Sequence, residues 1–595
     1  MLCLLLFSYL ASLVSAATVV VNWDVTWAVA APDGNPRPVI GVNGKWPCPT
    51  LEINKGDRLL LTLNNQLRNE STSIHFHGLF LNGSQFMDGA SVVTQCPIPP
   101  GSSFTYDFTV DQVGTYWWHS HTFGQYPDGF RGPLIVRDPA PPYGKVDGEF
   151  TLTLSDWYDQ QMPPLIQAYQ SRANAEVNQG HEPIPTGGGL INDKKNASFA
   201  VEPNKTYLFR LINVGNFLAQ GLDFAGHDLT MVELDGVYTQ PTPLAGKNVR
   251  LATGQRIGLL LKTKPNAASN FEIKAMFDTT MFPPTPGIQM NTSAYLVYDQ
   301  SKPFPPPGTL YNITYVDETA LQPLDNQPAL EPVDNRVVLD TTFTTVDGIH
   351  RATVNNLTYL PAKVPTLYTA VQAGGDYSLN PNIYGQVNPF VLRPNEVVEV
   401  VINNMHPSLH PWHLHGHAFQ VIERAPPNAG IFTGFRNASA IPIKRDTLMV
   451  QPNSYAVVRF RADNPGVWIM HCHIEWHVES GLVVTLIEAP EKLQGLPIPA
   501  NHIDNCVRYP MPWQGNAAGN TRNLLDLAGV DTRASEDKHN GALYDPVTAY
   551  TNGPLTPTQQ CPPSFAGCIG HTSLIVQSVP THKRRWLETL KWLVR

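Results

Sequence analysis

The sequence predicts an all-β protein built from three β-sandwich domains and a loop-rich C-terminal tail. The length of 595 residues corresponds to three or four domains at about 150 residues each. The composition, with 54 prolines, 44 glycines and only 15% charged residues, favours short strands and tight turns over long helices. Alternating or β-branched runs such as TVVVNWDV, TYLFRLINV and VVEVVINN recur along the chain. A hydrophobic content of 42% is enough for sizeable cores.

The start of the chain and its charge bear on where the protein works. Residues 1–16, MLCLLLFSYLASLVSA, form an apolar run ending in small residues, which predicts a secretory signal; a buried N-terminal strand is the alternative. We therefore expect a secreted glycoprotein, extracellular or at the cell surface, and eight Asn-x-Ser/Thr triplets are compatible with this. The net charge of −9 is spread along the chain, so no nucleic-acid partner is expected.

Proline-rich linkers divide the chain into its expected domains. We expect a first sandwich at 17–140, a second at 145–305 and a third at 330–500, with PAPPYG and KPFPPPGTLYN in the linkers. The stretch 163–179 is expected to be partly helical. In the C-terminal extension, 501–595, the apolar run is too short for a membrane span. Its ending, KRRWLETLKWLVR, is either a basic amphipathic helix or a frayed terminus.

Histidines two residues apart form the most informative pattern in the sequence. Side chains two apart on a strand share a face, so each pair can approach a metal from one side. The four motifs are His75-Phe76-His77, His119-Ser120-His121, HPWHLHGH (410–417) and HCHIEWH (471–477). The second domain contains no such pair. A lone pair is weak evidence, whereas this joint occurrence argues against ordinary core histidines.

Cys472 indicates which metal the histidine motifs bind. On a strand its side chain points away from those of His471 and His473, so one segment can serve two metal centres. A thiolate with two imidazoles and a weak or absent axial ligand makes a blue-copper electron-transfer site. His477 offers one imidazole and the 410–417 motif the other. Structural zinc sites close as four-ligand tetrahedra and would not need this many histidines.

The remaining cysteines are candidates for disulfides. Of seven cysteines, one lies in the predicted signal and one is assigned to metal, and the five that remain cannot all pair internally. We consider Cys96 with Cys506, which would tie the first domain to the end of the third. Cys561 with Cys568 could close a small loop in the tail, leaving Cys48 over.

The four motifs, in this order and spacing, resemble those of the multicopper oxidases, which include laccases and fungal ferroxidases. The resemblance covers about residues 20–525 and is strong in HFHGLFLNGSQFMDGASVVTQCPIPPG, GTYWWHSHTFGQYPDGFRGPLIV and NPGVWIMHCHIEWH. It implies three cupredoxin-like Greek-key β-sandwich domains and four copper ions, one type 1, one type 2 and two type 3. The absence of a clear C-terminal span departs from the membrane-bound ferroxidases.

The resemblance also implies a ligand set. His410, Cys472 and His477 would hold the type 1 copper, with Leu482 in the axial position. Leucine cannot ligate, and the loss of a thioether donor there should raise the reduction potential. The other implied ligands are His75 and His413 for the type 2 copper, His77, His119 and His473 for one type 3 copper, and His121, His415 and His471 for the other.

Two acids are implied to serve the reduction of O2, which takes four electrons and also protons. Asp88 and Glu475 resemble the acids that the family places beside the oxygen-reducing cluster. The alternatives are a turn former before Gly89 for Asp88, and a salt-bridged surface residue for Glu475.

The substrate rests on fewer residues. Glu182 matches a glutamate with which ferroxidases hold Fe(II), but His406 occupies their second acidic position, four residues before His410. Because phenol-oxidising relatives also use an acid at the Glu182 position, we expect a monomeric laccase-like oxidase. It would couple one-electron oxidation of phenols, in pigment or polyketide metabolism, to O2 reduction. A ferroxidase for iron uptake and a non-catalytic copper carrier are the alternative functions, and a solvated loop residue is the alternative for Glu182.

Overall fold

The fold comes from a computed structural model that describes residues 16–533 except 178, 267, 283, 284, 286 and 310–312. Residues 1–15 of the predicted signal, the proposed Cys561–Cys568 pair and the tail from 534 onward lie outside the described residues. Strands form six sheets arranged as three pairs, so the all-β prediction is confirmed.

The first pair of sheets carries two of the histidine motifs. Its strands are β1 (Thr18–Ala30), β2 (Arg37–Val42), β3 (Leu51–Asn54), β4 (Arg58–Asn65), β5 (His75–His77), β6 (Ser103–Thr109), β7 (Gly114–His119) and β8 (Arg131–Arg137). The orders are β2-β1-β4-β6 and β3-β8-β7-β5. In β4 every second residue is buried, the alternation expected of a strand with one face on a core. Antiparallel pairing of β5 with β7 sets His75 opposite His119, which brings the two motifs side by side.

The second pair of sheets has six and five strands. They are β9 (Gly148–Trp157), β10 (Gly188–Ile191), β11 (Ala197–Ala200), β12 (Thr206–Asn213), β13 (Gln220–Phe224), β14 (Leu229–Leu234), β15 (Val237–Pro243), β16 (Val249–Leu251), β17 (Arg256–Lys262), β18 (Phe271–Phe277) and β19 (Asn291–Val297). The orders are β10-β9-β12-β17-β14-β15 and β11-β19-β18-β13-β16. The stretch expected to be partly helical contains α1 (Met162–Tyr169) and α2 (Arg172–Val177). In α1 a proline occupies the first turn, where its missing N–H has no helical partner to lose.

The third pair of sheets carries the other two motifs. Its strands are β20 (Asn335–Val346), β21 (Ile349–Val354), β22 (Pro389–Leu392), β23 (Val397–Asn404), β24 (His410–Leu414), β25 (Phe419–Arg424), β26 (Lys444–Arg445), β27 (Thr447–Val450), β28 (Ser454–Arg461), β29 (Gly466–Cys472) and β30 (Val483–Glu488). The orders are β21-β20-β23-β28-β25-β26 and β22-β30-β29-β24-β27. Pairing of β24 with β29 sets His413 opposite His471, so the late motifs also lie side by side.

Four helices accompany the third pair of sheets: α3 (Thr366–Gln372), α4 (Glu475–Ser480), α5 (Pro490–Leu493) and α6 (Ala500–Arg508). A disulfide between Cys96 and Cys506 ties α6 to the first domain, as predicted, across a sequence separation of 410 residues. Cys48 is buried and unpaired. Among the residues described, no helix combines the length and the apolar character that crossing a bilayer requires.

Candidate metal centres

Cys472 ends β29, and its thiol lies between two imidazoles. Its Sγ is 3.5 Å from His410 Nδ1 and 3.4 Å from His477 Nδ1, and these two nitrogens are 3.0 Å apart. All three side chains are buried. Burial raises the pKa of the Cys472 thiol and lowers the pKa of His410, so the imidazole is neutral and the thiolate needs a cation beside it. One sulfur and two imidazole nitrogens fit a copper ion of the blue type.

His477 reaches the thiol because a short helix follows the strand. The sequence predicted that His471, Cys472 and His473 lie on one strand, but β29 ends at Cys472 and α4 begins at Glu475. The helix ends at Ser480 and is capped by Gly481, whose φ of 103° lies in the left-handed region that glycine adopts without strain. Leu482 then donates its N–H to His477 O at 2.9 Å and accepts from Cys472 N–H at 3.1 Å. Its side chain is buried and offers no ligand atom.

The eight other predicted ligands form one buried cluster where the first and third domains meet: His75, His77, His119, His121, His413, His415, His471 and His473. Three triplets have ligand atoms that all lie within 4.8 Å of one another: His75 with His77 and His119, His75 with His413 and His415, and His121 with His415 and His471. Each domain supplies half of the cluster, so the cluster is complete only when the two domains are packed together.

Stacked rings join the two halves of this cluster. The His75 and His415 rings stack with centroids 3.8 Å apart, and the His77 and His413 rings with centroids 3.7 Å apart. Burial lowers the pKa of the described cluster members His77, His119, His413, His415, His471 and His473, and that of His121 to about 3. These imidazoles are therefore neutral, which is the form that binds a metal.

Oxygen acceptors decide which ring nitrogen is left for a metal. Nδ1 lies 2.8 to 2.9 Å from a backbone carbonyl in four rings: His75 (Asp88 O), His119 (Ser120 O), His413 (Asp446 O) and His471 (Cys472 O). A carbonyl only accepts, so Nδ1 carries the proton and Nε2 does not. The buried Nε2 atoms of His75, His119 and His413 have no hydrogen-bond partner. A metal bound in the cluster would satisfy them, so the residues present fit metal binding.

Asp88 and Glu475 both contact the surroundings of the cluster. Asp88 is fully buried, with Oδ1 3.0 Å from His415 Nδ1 and 3.2 Å from His75 Nδ1. The next residue, Gly89, has a φ of 80° and lies close to the backbone of Ile74, because a Cβ there would be 1.7 Å from Ile74 O. Asp88 therefore contacts two histidines of the cluster directly.

Glu475 is the first residue of α4 and is buried, so the alternative of a salt-bridged surface residue is wrong. Its Oε1 accepts the Gly124 N–H at 2.9 Å. Burial raises the pKa of this carboxyl. Glu475 lines a small cavity together with the cluster histidines His119, His121, His471 and His473.

Glu182 and His406 lie at the outer ends of the two imidazoles that face the thiol. Glu182 Oε1 is 2.9 Å from His477 Nε2, and the Glu182 side chain is 16% exposed. Burial raises the pKa of Glu182, but the hydrogen bond and charge of His477 outweigh it, so the pKa lies below its usual value. His406 Nδ1 is 3.2 Å from His410 Nε2, and burial and the nearby His477 lower the pKa of His406 to about 4. Glu182, beside His477, is therefore anionic, whereas His406, beside His410, is neutral.

Phe343 also belongs to this outer region, although no sequence motif indicates it. Its ring centroid lies 4.7 Å from that of His406, 4.8 Å from that of His477 and 5.7 Å from that of His410. The Phe343 ring therefore contacts an imidazole of each outer contact. A single aromatic residue in a threonine-rich strand carries no signal for such a position.

Comparisons with known proteins bear on this arrangement. Three family models described as multicopper oxidase match residues 24–141, 148–301 and 359–492. The iron transport multicopper oxidase fetC of Epichloe festucae is 48% identical over 531 residues, covering 87% of this chain and 84% of its own length. The solved structure of Fet3p, a multicopper oxidase that functions in iron import, has a TM-score of 0.83 and 39% identity, covering 87% of this chain and 100% of its own. A laccase from Botrytis aclada has a TM-score of 0.73 and 27% identity, covering 83% and 92%.

These findings contradict the expected laccase-like phenol oxidase of pigment or polyketide metabolism. Relatives that share between 36% and 48% identity are named iron transport oxidases. The prediction gave too much weight to His406 in place of a carboxylate. A negative charge still lies beside His477, because Glu182 is ionised.

The matched domains also fix the cofactor and the class of reaction. Multicopper oxidases of this structure carry four copper ions, one type 1, one type 2 and a type 3 pair. A copper carrier without oxidase activity is excluded for the same reason. The chain belongs to the multicopper oxidases, copper-dependent oxidoreductases that use O2.

Proposed function

We propose that the chain oxidises Fe(II) one electron at a time and passes the electrons to O2. The contact between Glu182 and His477 carries the proposal. A partly exposed, ionised carboxylate attracts a cation and offers it oxygen ligands. The imidazole it touches also touches the thiol of Cys472, so the binding group lies one ring away from the buried sulfur. The names of the relatives, iron transport oxidases, support the same substrate.

We propose that His410, Cys472 and His477 hold the type 1 copper, with Leu482 in the axial position. The eight clustered histidines would hold the type 2 and type 3 coppers in the sets that the resemblance implies. When bound, the coppers supply a one-electron acceptor near the surface and a cluster that reduces O2 to water. Cys472 is bonded in the chain to His471 and His473, so the covalent route from the sulfur to the cluster is short.

Two carboxyls are proposed to serve the cluster in different ways. Asp88 orients His415 and His75 through Oδ1. Glu475 uses Oε1 to accept from Gly124, and its raised pKa favours a proton on the carboxyl beside the cavity. We propose that Glu475 holds a proton there for O2 reduction.

We also propose that the protein works outside the cell or at its surface. The Cys96–Cys506 disulfide supports an oxidising compartment. Several asparagines of the Asn-x-Ser/Thr triplets are exposed and so accessible to glycosylation: Asn82, Asn196, Asn204, Asn356 and Asn437.

A Glu182→Gln variant tests the proposed substrate. Glutamine keeps the shape and can still accept from His477, but it removes the charge that attracts the cation. We expect KM for Fe(II) to rise about tenfold, because a contact to a charged group is lost. Glu202→Gln, at an exposed glutamate in another part of the second domain, is the control and should leave KM unchanged. An unchanged KM in Glu182→Gln would show that this carboxylate does not hold the substrate.

A further inference from the structure

We propose that Asp446 positions His77 and His413 in the histidine cluster, and that Arg256 of the second domain holds Asp446 in place. Neither Asp446 nor Arg256 belongs to the histidine motifs. Asp446 lies between β26 and β27 in the third domain, and its side chain is only 1% exposed. The proposal concerns the cluster itself and does not depend on which substrate reduces the enzyme.

Asp446 contacts both rings of one stacked pair. Its Oδ1 is 3.3 Å from His77 Nε2 and 3.5 Å from His413 Nδ1, and its backbone oxygen is 2.9 Å from His413 Nδ1. A carboxylate and a carbonyl only accept, so the protons are on His77 Nε2 and His413 Nδ1. The opposite nitrogens, His77 Nδ1 and His413 Nε2, are thereby left without protons and available to a metal.

The orientation of His77 differs from that of the rings held by backbone carbonyls. His77 turns Nδ1 toward the cluster, where it lies 3.1 Å from His473 Nε2. The four rings held by carbonyls use Nδ1 as the outward donor instead. The His77 tautomer that leaves Nδ1 free for a metal carries its proton on Nε2. An acceptor beside Nε2, such as Asp446 Oδ1, is needed to favour that tautomer.

The hydroxyl of Thr447 completes the contact. It donates to Asp446 Oδ1 at 2.8 Å, and its oxygen lies 3.3 Å from His77 Nε2 and 3.2 Å from His413 Nδ1. Because its own proton goes to the carboxylate, the oxygen is free to accept from the two rings. Thr447 therefore also favours a proton on His77 Nε2 and on His413 Nδ1, and it does so without adding a charge.

Arg256 keeps the carboxylate charged and fixed. Its Nη1 and Nη2 lie 2.6 Å from Asp446 Oδ1 and Oδ2, which is a bidentate contact. The bidentate pair places a positive charge against both oxygens of the carboxylate, which favours the ionised form of Asp446. Packing is tight around the pair, because a Cβ at Gly78 would lie 2.4 Å from Arg256 Nη2 and 2.7 Å from Asp446 Oδ2.

This contact joins three domains at the cluster. His77 comes from the first, Arg256 from the second, and Asp446 and His413 from the third. A second ion pair helps to hold Arg256 in place. Arg445 Nε donates to Asp235 Oδ2 at 2.8 Å, and Asp235 Oδ1 accepts from the backbone N–H of Arg256 at 2.8 Å. The second domain holds no histidine pair, yet it supplies the charge that orients two rings of the cluster.

The test compares Asp446→Asn with Glu233→Gln in the copper-loaded protein. Glu233 is a fully buried carboxylate in the second domain that accepts from Thr115 N–H at 2.7 Å and pairs with Arg210 at 3.4 Å. In Asp446→Asn we expect the blue absorption of the Cys472 site to persist. The copper affinity of the cluster should fall about 10- to 100-fold, with a weakened or altered type 2 signal in electron paramagnetic resonance. Glu233→Gln should keep both signals.

A second pair of variants guards against misfolding, because Asn at 446 leaves Arg256 without its charge partner. Thr447→Val removes the hydroxyl and leaves no charge unpaired, whereas Thr447→Ser retains the hydroxyl. We expect weaker copper binding in the cluster and an altered type 2 signal for the valine variant, and restoration of both in the serine variant. Full copper content with an unchanged type 2 signal in Asp446→Asn would overturn the proposal. The proposal would also be overturned if Asp446→Asn and Glu233→Gln lost the blue band and the cluster copper to the same extent. It would be overturned, too, if Thr447→Val and Thr447→Ser had the same copper content and the same type 2 signal.

Discussion

Glu182 Oε1 lies 2.9 Å from Nε2 of His477, whose Nδ1 faces the buried thiol of Cys472 at 3.4 Å. A single imidazole thus separates a partly exposed carboxylate from the sulfur. The second imidazole beside the sulfur, His410, ends at neutral His406 instead. The two outer contacts therefore differ in charge, and a cation is expected to approach the Glu182 side.

Replacement of Cys472 by serine should separate the two kinds of centre. We expect Cys472→Ser to lose the blue colour and one of the four coppers, because the sulfur ligand is gone while the clustered histidines remain. Absorption spectroscopy and copper analysis measure both effects. Cys48→Ser, at the other buried unpaired cysteine among the described residues, is the control and should stay blue. Retention of the blue band in Cys472→Ser would place the site elsewhere.

Replacement of Leu482 by methionine should lower the reduction potential of the blue site. A thioether in the axial position would donate to the copper and stabilise its oxidised form, which leucine cannot do. A redox titration followed at the blue band measures the shift. Leu486→Met changes another buried leucine, in β30, and should leave the potential unchanged. The assignment of Leu482 to the axial position fails if the two variants have the same potential.

His502 should make the protein sensitive to acid. Its Nδ1 is 2.7 Å from the Tyr368 hydroxyl in the contact between α6 and α3, and burial lowers its pKa from 6.5 to about 3. The unfolded chain therefore binds more protons than the folded one in this range, so stability is lost as pH falls below about 6.5. The loss is about 3 kcal/mol at pH 4.

A His502→Gln variant removes this titration. Its unfolding midpoint should fall less than that of the unchanged protein between pH 7 and pH 4, whatever its stability at pH 7. Thermal unfolding at several pH values gives the comparison. Parallel pH profiles of the two proteins would mean that His502 is not held neutral by burial.

The histidine cluster could be predicted because strand alternation is a local property of the sequence. His75 and His77 share a face on β5, and the pairing of β24 with β29 then sets His413 opposite His471. The helix α4 could not be predicted in the same way. Six residues show no helical period, and only Gly481 marks its end.

Asp446 and Arg256 could not be predicted, because they are 190 residues apart and meet only when domains pack. The charged residues within the apolar run IPIKRDTLMV were a signal for buried ion pairs, but not for their partners. The expected phenol substrate was wrong because the prediction treated His406 as the loss of a carboxylate ligand for Fe(II). Only the structure places Glu182 against His477 with its charge intact.

The relative activity toward Fe(II) and phenols tests the proposed function most directly. The measurement is kcat/KM of the purified, copper-loaded protein for Fe(II) and for a panel of phenols under the same conditions. We predict that the value for Fe(II) exceeds that for every phenol by at least about tenfold, a difference of about 1.4 kcal/mol in transition-state stabilisation. A phenol turned over with a higher kcat/KM than Fe(II) would contradict the proposal.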